Sequence, residues 1–463
     1  MSDHNRTVGV DEYLGAGRSL FLGLQSILAC NLFLGPVVII SATSMGVDKA
    51  SELIALTFLA CGIASIVQSA LFLRYPIIQG MSFATIGAVL AIGAKSEMDV
   101  VAGSVIIASL VIVAVGLLRV FSKLVKRLAP PIVAGTVIIV IGVSLMPIVW
   151  NSLVASNAIT NGAFPVAAAS FLVLVVIMLA GGRLNNRLGA VLRIGSVVWA
   201  IIIGTAVAAA YGQVDLSPVK HASWFAFPTL LPDGAPTFQV GPSLVMTFIL
   251  LVVLVESLGS WFTVSVLAKE EMSDRQLDRG VIGEAIGCLL GGFTTGVPVT
   301  SYGSNAGVIA MTRVLSRWTA VGAGAICVVM ALCPKLMSLI AVIPPSVVWG
   351  VFGVVTILIL TSGLQAIRPY DFSDRNTFVV GIPVLAAIGT SLLPPALVNS
   401  MPDLLGYLCS SAIAVGAITA VLFNALLPQG RPIPDGEHVL DESPVATPHA
   451  LTSTASSAAG SVR

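Results

Sequence analysis

A chain of 463 residues would ordinarily make two or three soluble domains, but here charged residues are only 10% of the total, 56% are apolar, and mean hydropathy is +1.00. An average globular protein carries about 25% charge, and so few charges could not cover a soluble surface of this size. With 23 Lys plus Arg against 22 Asp plus Glu, no basic excess points to nucleic acid, and the composition implies a polytopic membrane protein.

A membrane helix needs about 20 mostly apolar residues. In chain order the pattern yields fourteen candidates: 20–42, 52–73, 76–94, 99–120, 130–150, 165–181, 193–212, 242–267, 280–295, 301–314, 316–334, 345–366, 376–394 and 404–428. The third and tenth are short, interrupted by Gly, and begin with extended-looking residues. No apolar run precedes Leu20, so no cleavable signal is expected. From Pro428 the chain turns polar and rich in Ser, Ala and Pro, the composition of a disordered tail. The six cysteines all fall in apolar stretches without metal or disulfide spacing, and the four histidines lie outside such stretches. No metal or other cofactor is expected.

The basic residues orient the spans. With the N-terminus in the cytoplasm, fourteen crossings place all but four of the 23 Lys and Arg inside, the exceptions being Lys49, Lys95, Lys220 and Lys335. Short cytoplasmic loops are expected to hold that excess, so both termini are read as cytoplasmic and the protein as multi-pass in the cell membrane.

An internal repeat follows from the prolines. Pro130–Pro131 opens the fifth span and Pro344–Pro345 the twelfth, each after a long apolar helix and a short amphipathic stretch, with a Gly-interrupted span upstream. Each unit then has seven spans, and an odd number inserts the second copy upside down. Inverted repeats with paired broken helices mark secondary transporters with a site near the bilayer midplane. The expected fold is all-α with two inverted seven-span repeats. A tail covers 1–19, repeat one 20–212, an extracellular loop 213–241, repeat two 242–428, and a disordered cytoplasmic tail 429–463. The candidate breaks are Pro76–Ala84 and Val297–Gly307, where half-helix starts present free N–H groups to a carbonyl or an anion.

Of the 22 acidic residues, Glu256 is the clear mid-span exception. An ionised carboxylate at the bilayer centre costs at least about 2.5–3.5 kcal/mol, so such residues usually face a cavity and carry function. With no Lys, Arg or His in its span, Glu256 favours its neutral form, which makes it a proton carrier. Glu284, nearer the cytoplasmic end of the ninth span, reads as a partner of Arg279 or Arg313 or as a helix cap. Ser260 lies one turn after Glu256 on the same face. Gln25 and Ser26 are polar positions within the first span.

These residues resemble the nucleobase–ascorbate transporters, also called nucleobase–cation symporter-2, over about residues 15–430. Ser304-Asn305-Ala306-Gly307 followed by Thr312-Arg313 is similar to that family's signature of Gln, Glu or Pro, then Asn-x-Gly, four free positions and Thr. Glu256 stands where the family keeps a glutamate in the eighth span. Gly80-Met-Ser82-Phe83-Ala84 resembles its Gly-x-Ser-Phe turn, Gln25 the glutamine of its first span, and Arg279-Gly280 with Gly283-Glu284 the start of its ninth.

The resemblance implies a proton-coupled symporter that imports a nucleobase, with sodium the less favoured ion and no cofactor. Glu256 would meet an N–H and C=O pair of the ring, and backbone N–H groups near Ser82–Phe83 and Gly303–Ser304 the remaining carbonyl. The Phe83 ring would offer a stacking face, with Ser260 and Gln25 as polar neighbours. Asn305, Gly307, Thr312 and Arg313 would organise the site. Spans 1–4 and 8–11 would form a core, and spans 5–7 and 12–14 a gate through which the protein dimerises. Ser304 departs from the usual Gln or Glu: a hydroxyl spans one ring group and leaves room for a bulkier ligand. The Thr-Ser-Tyr-Gly and Ile-Ala-Met-Thr-Arg-Val stretches resemble uracil permeases more than xanthine permeases. Uracil is therefore the expected substrate, with xanthine or another purine as the alternative. An anion transporter on the same fold is a rival disfavoured by the acidic site and short tail. An intramembrane enzyme is disfavoured because no His, Asp or Cys constellation lies at depth.

Overall fold

The computed structural model describes residues 7–43, 45–123, 130–155, 162–184, 187–294, 297–371 and 373–428. The expected disordered tail, and part of the amphipathic stretch before Pro130, lie outside them. In chain order the elements begin with α1 (Ala16–Cys30), α2 (Leu34–Thr43) and α3 (Val47–Val67), the last extended by a π turn (Gln68–Phe72). Then come β1 (Gln79–Met81), a 3-10 turn (Phe83–Thr85), α4 (Ile86–Lys95), α5 (Met98–Leu117), α6 (Pro131–Ala155), α7 (Ala163–Arg183), α8 (Arg187–Ile194), α9 (Ser196–Ala210) and α10 (Ser217–His221). The rest are α11 (Val240–Ala268), α12 (Asp274–Thr294), β2 (Val299–Ser301), α13 (Ser304–Thr312), α14 (Arg317–Ala331), α15 (Pro334–Ala341), α16 (Pro345–Ile367), α17 (Asp374–Ser391), α18 (Pro395–Ser400), α19 (Asp403–Cys409) and α20 (Ala412–Leu426).

Among the described residues, seven helical stretches are long and apolar enough to cross a membrane: Ala16–Thr43, Val47–Phe72, Met98–Leu117, Pro131–Asn151, Ala163–Arg183, Val240–Ala268 and Pro345–Ile367. A bent pair, Arg317–Ala331 with Pro334–Ala341, turns by 87°, and Phe83–Lys95, Ser196–Ala210 and Ala412–Leu426 are shorter apolar helices. On α7 the large side chains Leu172, Val176 and Leu179 form one exposed stripe, as expected of a surface wetted by lipid.

Three sequence expectations need correction at their boundaries. The first span is not one helix: it stops at Asn31, whose left-handed backbone (φ 52) is one that Asn tolerates. The ninth starts at Asp274, and the fourteenth is divided between α19 and α20. Pro131 and Pro345 do start helices, at the position where a missing N–H costs nothing.

Both Gly-interrupted segments hold a three-residue strand, and the two strands pair antiparallel in the register Gln79↔Ser301, Gly80↔Thr300, Met81↔Val299. The ladder is lengthened at both ends, by Ser82 N–H to the Pro298 carbonyl (3.0 Å) and Tyr302 N–H to the Ile78 carbonyl (2.9 Å). Extended backbone in a water-free interior must find partners, and here each broken segment supplies them to the other. Gly80 permits the crossing, since a Cβ there would lie 2.5 Å from the Tyr302 ring.

Packing around the crossing comes in matched pairs. α3 packs on α14 as α12 packs on α5; α1 packs on α14 as α11 packs on α5. α6 and α16 pack together, with α7 on α16 and α17 on α6 in matching places. The α3–α14 contact is made through Gly62 and Gly324, whose backbones meet directly: a Cβ at Gly62 would lie 2.7 Å from the Gly324 carbonyl oxygen. Small residues at such crossings let membrane helices approach closely. Gly324→Val is therefore expected to destabilise the fold by about 1–3 kcal/mol through overpacking. Thermal unfolding of detergent-purified protein, followed by size-exclusion chromatography, measures it; an unchanged midpoint would contradict the close approach.

Candidate functional site

The site is built where the strand crossing meets α11, which packs against β2, the Phe83–Thr85 turn and α13. Positions three and four apart on a helix share a face, and α11 turns Ser257, Ser260 and Trp261 toward β2. Ser257 Oγ lies 2.9 Å from Thr300 Oγ1, Ser260 Oγ donates to the Ser301 carbonyl (3.0 Å), and Trp261 Nε1 donates to Ser301 Oγ (2.7 Å).

At the centre of this face sits Glu284, fully buried. One carboxylate oxygen accepts from Ser257 Oγ and from the Ser301 N–H (3.0 Å). The other accepts from Gln79 Nε2 (2.5 Å), Ser301 Oγ (2.9 Å) and Gln68 Nε2 (3.5 Å). The expected pairing with Arg279 or Arg313, or a capping role, is thus replaced by a hub joining both strands, α11 and the π turn. Arg279 instead donates to the Leu71 carbonyl (2.8 Å). Gln68 also donates to the Gly280 carbonyl (3.1 Å), a placement in keeping with the tendency of π turns to mark functional positions.

Glu256 is partly buried, and its Oε2 is enclosed without a hydrogen-bond partner. It lies within electrostatic range of Glu284 and Tyr302. Over the crossing, Phe83 stacks on Tyr302 (centroids 5.8 Å apart, planes at 24°) and meets Phe352 of α16 at 5.6 Å. Tyr302 is fixed by its hydroxyl, which donates to the Met81 carbonyl (2.7 Å). Ser82 is fully buried with Oγ unpartnered, and its carbonyl accepts from Thr85 Oγ1 (2.8 Å).

At the start of α13, Gly303 and Ser304 are exposed, Ser260 Oγ would be 3.2 Å from a Cβ at Gly303, and the Ser304 side chain meets the Cys30 thiol. Asn305 Nδ2 donates to the Pro76 carbonyl (2.7 Å), tying α13 to the segment before β1, while its Oδ1 has no partner. Gln25 is half-buried on α1, which packs on α13; its side chain makes no hydrogen bond among the described residues.

The structure therefore gathers Ser82, Phe83, Ser260 and the Gly303–Asn305 turn around the crossing, with Glu256 on the adjoining helix. It does not bring Thr312 or Arg313 there. These close the far end of α13, about 12 Å along at 1.5 Å per residue. Thr312 Oγ1 donates to the Val308 carbonyl (2.9 Å), and Arg313 adopts the left-handed conformation (φ 55) that ends the helix. Gly307 has open space where a Cβ would stand, so no packing explains its glycine. Sequence reasoning missed Gln68, Gln79, Ser257, Trp261, Ser301, Tyr302 and Phe352. Gln79, Ser301 and Tyr302 lay inside the two candidate breaks, and Ser257 beside Glu256, which is the signal that could have found them.

Crossed broken segments inside a helical membrane bundle, flanked by buried carboxylates and stacked aromatics, define a membrane transport protein. A family model described as "Permease family" (Xan_ur_permease) matches residues 17–396, and the chain belongs to this xanthine and uracil permease family. It is 29% identical over 432 residues to the nucleobase transporter PlUacP of Paenibacillus larvae, covering 92% of this chain and 98% of that one. It is 30% identical over 416 residues to the uric acid permease PucJ of Bacillus subtilis (87% and 91%), and 27% identical over 442 residues to the putative pyrimidine permease RutG of Escherichia coli (92% and 93%). Among solved structures, murine Slc26a9, an anion transporter, aligns with TM-score 0.63 at 13% identity over 91% of this chain and 70% of its own. The transmembrane domain of the cyanobacterial bicarbonate transporter BicA aligns at 0.55 and 16% over 90% and 100%. At those identities the likeness is one of fold. Membership in a permease family makes the chain a carrier of solute and not an enzyme.

Because every polar contact of Glu284 is with a donor, Glu284→Gln turns one acceptor into a donor facing donors. The expected cost is about 1–3 kcal/mol of stability, read as a lowered thermal midpoint, together with loss of ligand binding. A variant that melts and binds like the parent would remove Glu284 from the hub.

Proposed function

We propose that the protein is a proton-coupled importer of a nucleobase in the cell membrane, and that the base is a purine dione or trione such as xanthine or uric acid. The observation that carries this reading is the unpartnered carboxylate oxygen of Glu256 beside two facing half-helix starts and the Phe83–Tyr302 stack. A planar ring slid over Phe83 would keep its faces against carbon. Its edge N–H would reach Glu256, and its carbonyl the backbone N–H groups of the turns. Ser304 is exposed at the start of α13 and shorter than the Gln or Glu usual there, which suits a two-ring base and shifts the reading from uracil toward purines. Relatives named for uric acid, xanthine and purines, at 27–30% identity over most of the chain, are in keeping with this choice, and others at 27–29% are named for uracil and pyrimidines.

Protons are favoured over sodium by the surroundings of both carboxylates. The oxygens of Glu284 are filled by N–H and O–H donors, so this carboxylate is not open to a cation. Glu256 keeps an open oxygen to protonate, and proton and base then strengthen each other's binding by linkage. Two carboxylates next to the crossing also speak against an anion as cargo on this fold.

The proposed architecture has fourteen crossings in two inverted seven-span repeats with both termini cytoplasmic. The matched packing pairs support it: spans 1–4 and 8–11 as the core and spans 5–7 and 12–14 as the gate. A homodimer through the gate is part of the proposal, and the exposed apolar stripe on α7 is available to it.

Glu256→Gln, which mimics the protonated acid, is expected to abolish uphill accumulation of labelled xanthine while retaining counterflow. Accumulation undiminished by that change would exclude Glu256 from coupling. In parent cells, unlabelled xanthine and uric acid should compete for uptake at least tenfold better than uracil, and uptake should collapse when the pH gradient is dissipated. Competition that favours uracil would return the substrate to the pyrimidines.

A further inference from the structure

A cavity of about 490 Å3 opens between α4 on one side and α6, α17 and the start of α20 on the other. Small-molecule pockets span about 300–1,000 Å3, so it is large enough for a heterocycle. It shares a wall with the candidate site, because α4 continues the turn that carries Phe83. Leu90, Leu145 and Ile148 give it an apolar side, while Ser144 and Lys95 give it polar points.

The lining hydroxyls are not equivalent. Thr390, Ser391 and Ser410 donate to carbonyls of their own helices, at Ala386, Ala387 and Gly406. Ser144 is only 8% exposed and its Oγ has no partner. A buried hydroxyl left unpaired is costly, and a ring N–H or C=O in the cavity would relieve that cost. At the rim, Lys95 Nζ sits 5.0 Å from the centre of the Tyr407 ring, and Ser96 Oγ lies 3.3 Å from the Tyr407 hydroxyl, so α4 and α19 close one wall together.

We infer that this cavity is an outer waiting site for the transported base. The ring lies along α4, hydrogen-bonded to Ser144, before it moves on to Phe83 and Glu256. The inference rests on the proposed transport reading for its ligand and sidedness.

Cys409 lines the cavity and supplies the probe. Apart from it, only Cys333 among the six cysteines is not fully buried. In intact cells expressing the full chain with Cys333→Ser, a membrane-impermeant, charged methanethiosulfonate applied outside is expected to modify Cys409. Saturating xanthine should slow that reaction at least fivefold. Protection should persist when Glu256→Ala is added, because the outer site does not need Glu256. Ser144→Ala should raise the half-protecting xanthine concentration about fivefold, the loss of one hydrogen bond, with surface protein unchanged. Protection that vanishes with Glu256→Ala would assign the effect to the inner site and overturn the inference. Modification only from the cytoplasmic side would overturn it together with the orientation it rests on. Protection in a chain that accumulates no base would sink the transport reading and leave the second binding site standing.

Discussion

The constraint on which the rest of this structure depends is the obligation to pair backbone polar groups away from water. Two apolar segments give up helical hydrogen bonding at their breaks, and neither could do so alone. β1 and β2 solve the problem reciprocally, with the ladder running from Ile78–Tyr302 at one end to Ser82–Pro298 at the other. The same pairing fixes where both following helices start, and so sets the direction of their free N–H groups. Glu284 then ties the crossing to its surroundings. Its two oxygens draw on Gln79 of β1, Ser301 of β2 and Ser257 of α11, so these elements hold one register through one side chain.

Two carboxylates in one small region divide the work by the company they keep. Glu284 is saturated by donors, and that makes it structural: its oxygens are committed to contacts that hold the crossing together. Glu256 is its opposite, with an oxygen enclosed but unengaged. The proposed carrier role needs a group whose partner arrives and leaves, and of these two acids Glu256 is the one with an oxygen free for it. The hub also anchors the backbone beside Glu256, since Glu256 and Ser257 are neighbours on α11 and Ser257 is bound to Glu284.

Much of this was legible in the sequence because membrane physics writes large signals. Composition gives the class, and a mid-span Glu without a basic neighbour stands out at once. Gly-interrupted segments locate the breaks, and Pro-Pro pairs mark the starts of α6 and α16. The hub was not legible, for a definite reason. Gln68, Gln79, Glu284 and Ser301 are far apart in sequence, and their shared geometry exists only once two strands from different halves cross. Glu284 was misread because sequence distance to Arg279 is short, whereas helical direction turns the two side chains apart. The kink at Asn31 was missed since an Asn in left-handed conformation leaves no periodic trace in an otherwise apolar run.

The signature that carries the family resemblance also divides physically. Asn305 works at the crossing, through Pro76, whereas Thr312 and Arg313 act one half-helix away on the backbone. Beyond Arg313 the chain is held by the N-terminal segment: the Arg313 carbonyl accepts from Val8 N–H (3.0 Å), and Leu315 N–H donates back to the Val8 carbonyl (3.1 Å). Asp11 in that segment pairs with Arg317 (2.8 Å) and with Arg74 (3.3 Å), which precedes β1. The exposed Asp11–Arg74 pair contributes little, whereas Arg317 is mostly buried, so its pair with Asp11 and the strand-like backbone pairing supply most of the hold. The outcome is that both broken spans are fixed twice, by each other at the crossing and by one shared segment at the end where α13 stops. Signature positions far from the crossing are thus explained by what they do to the chain's path.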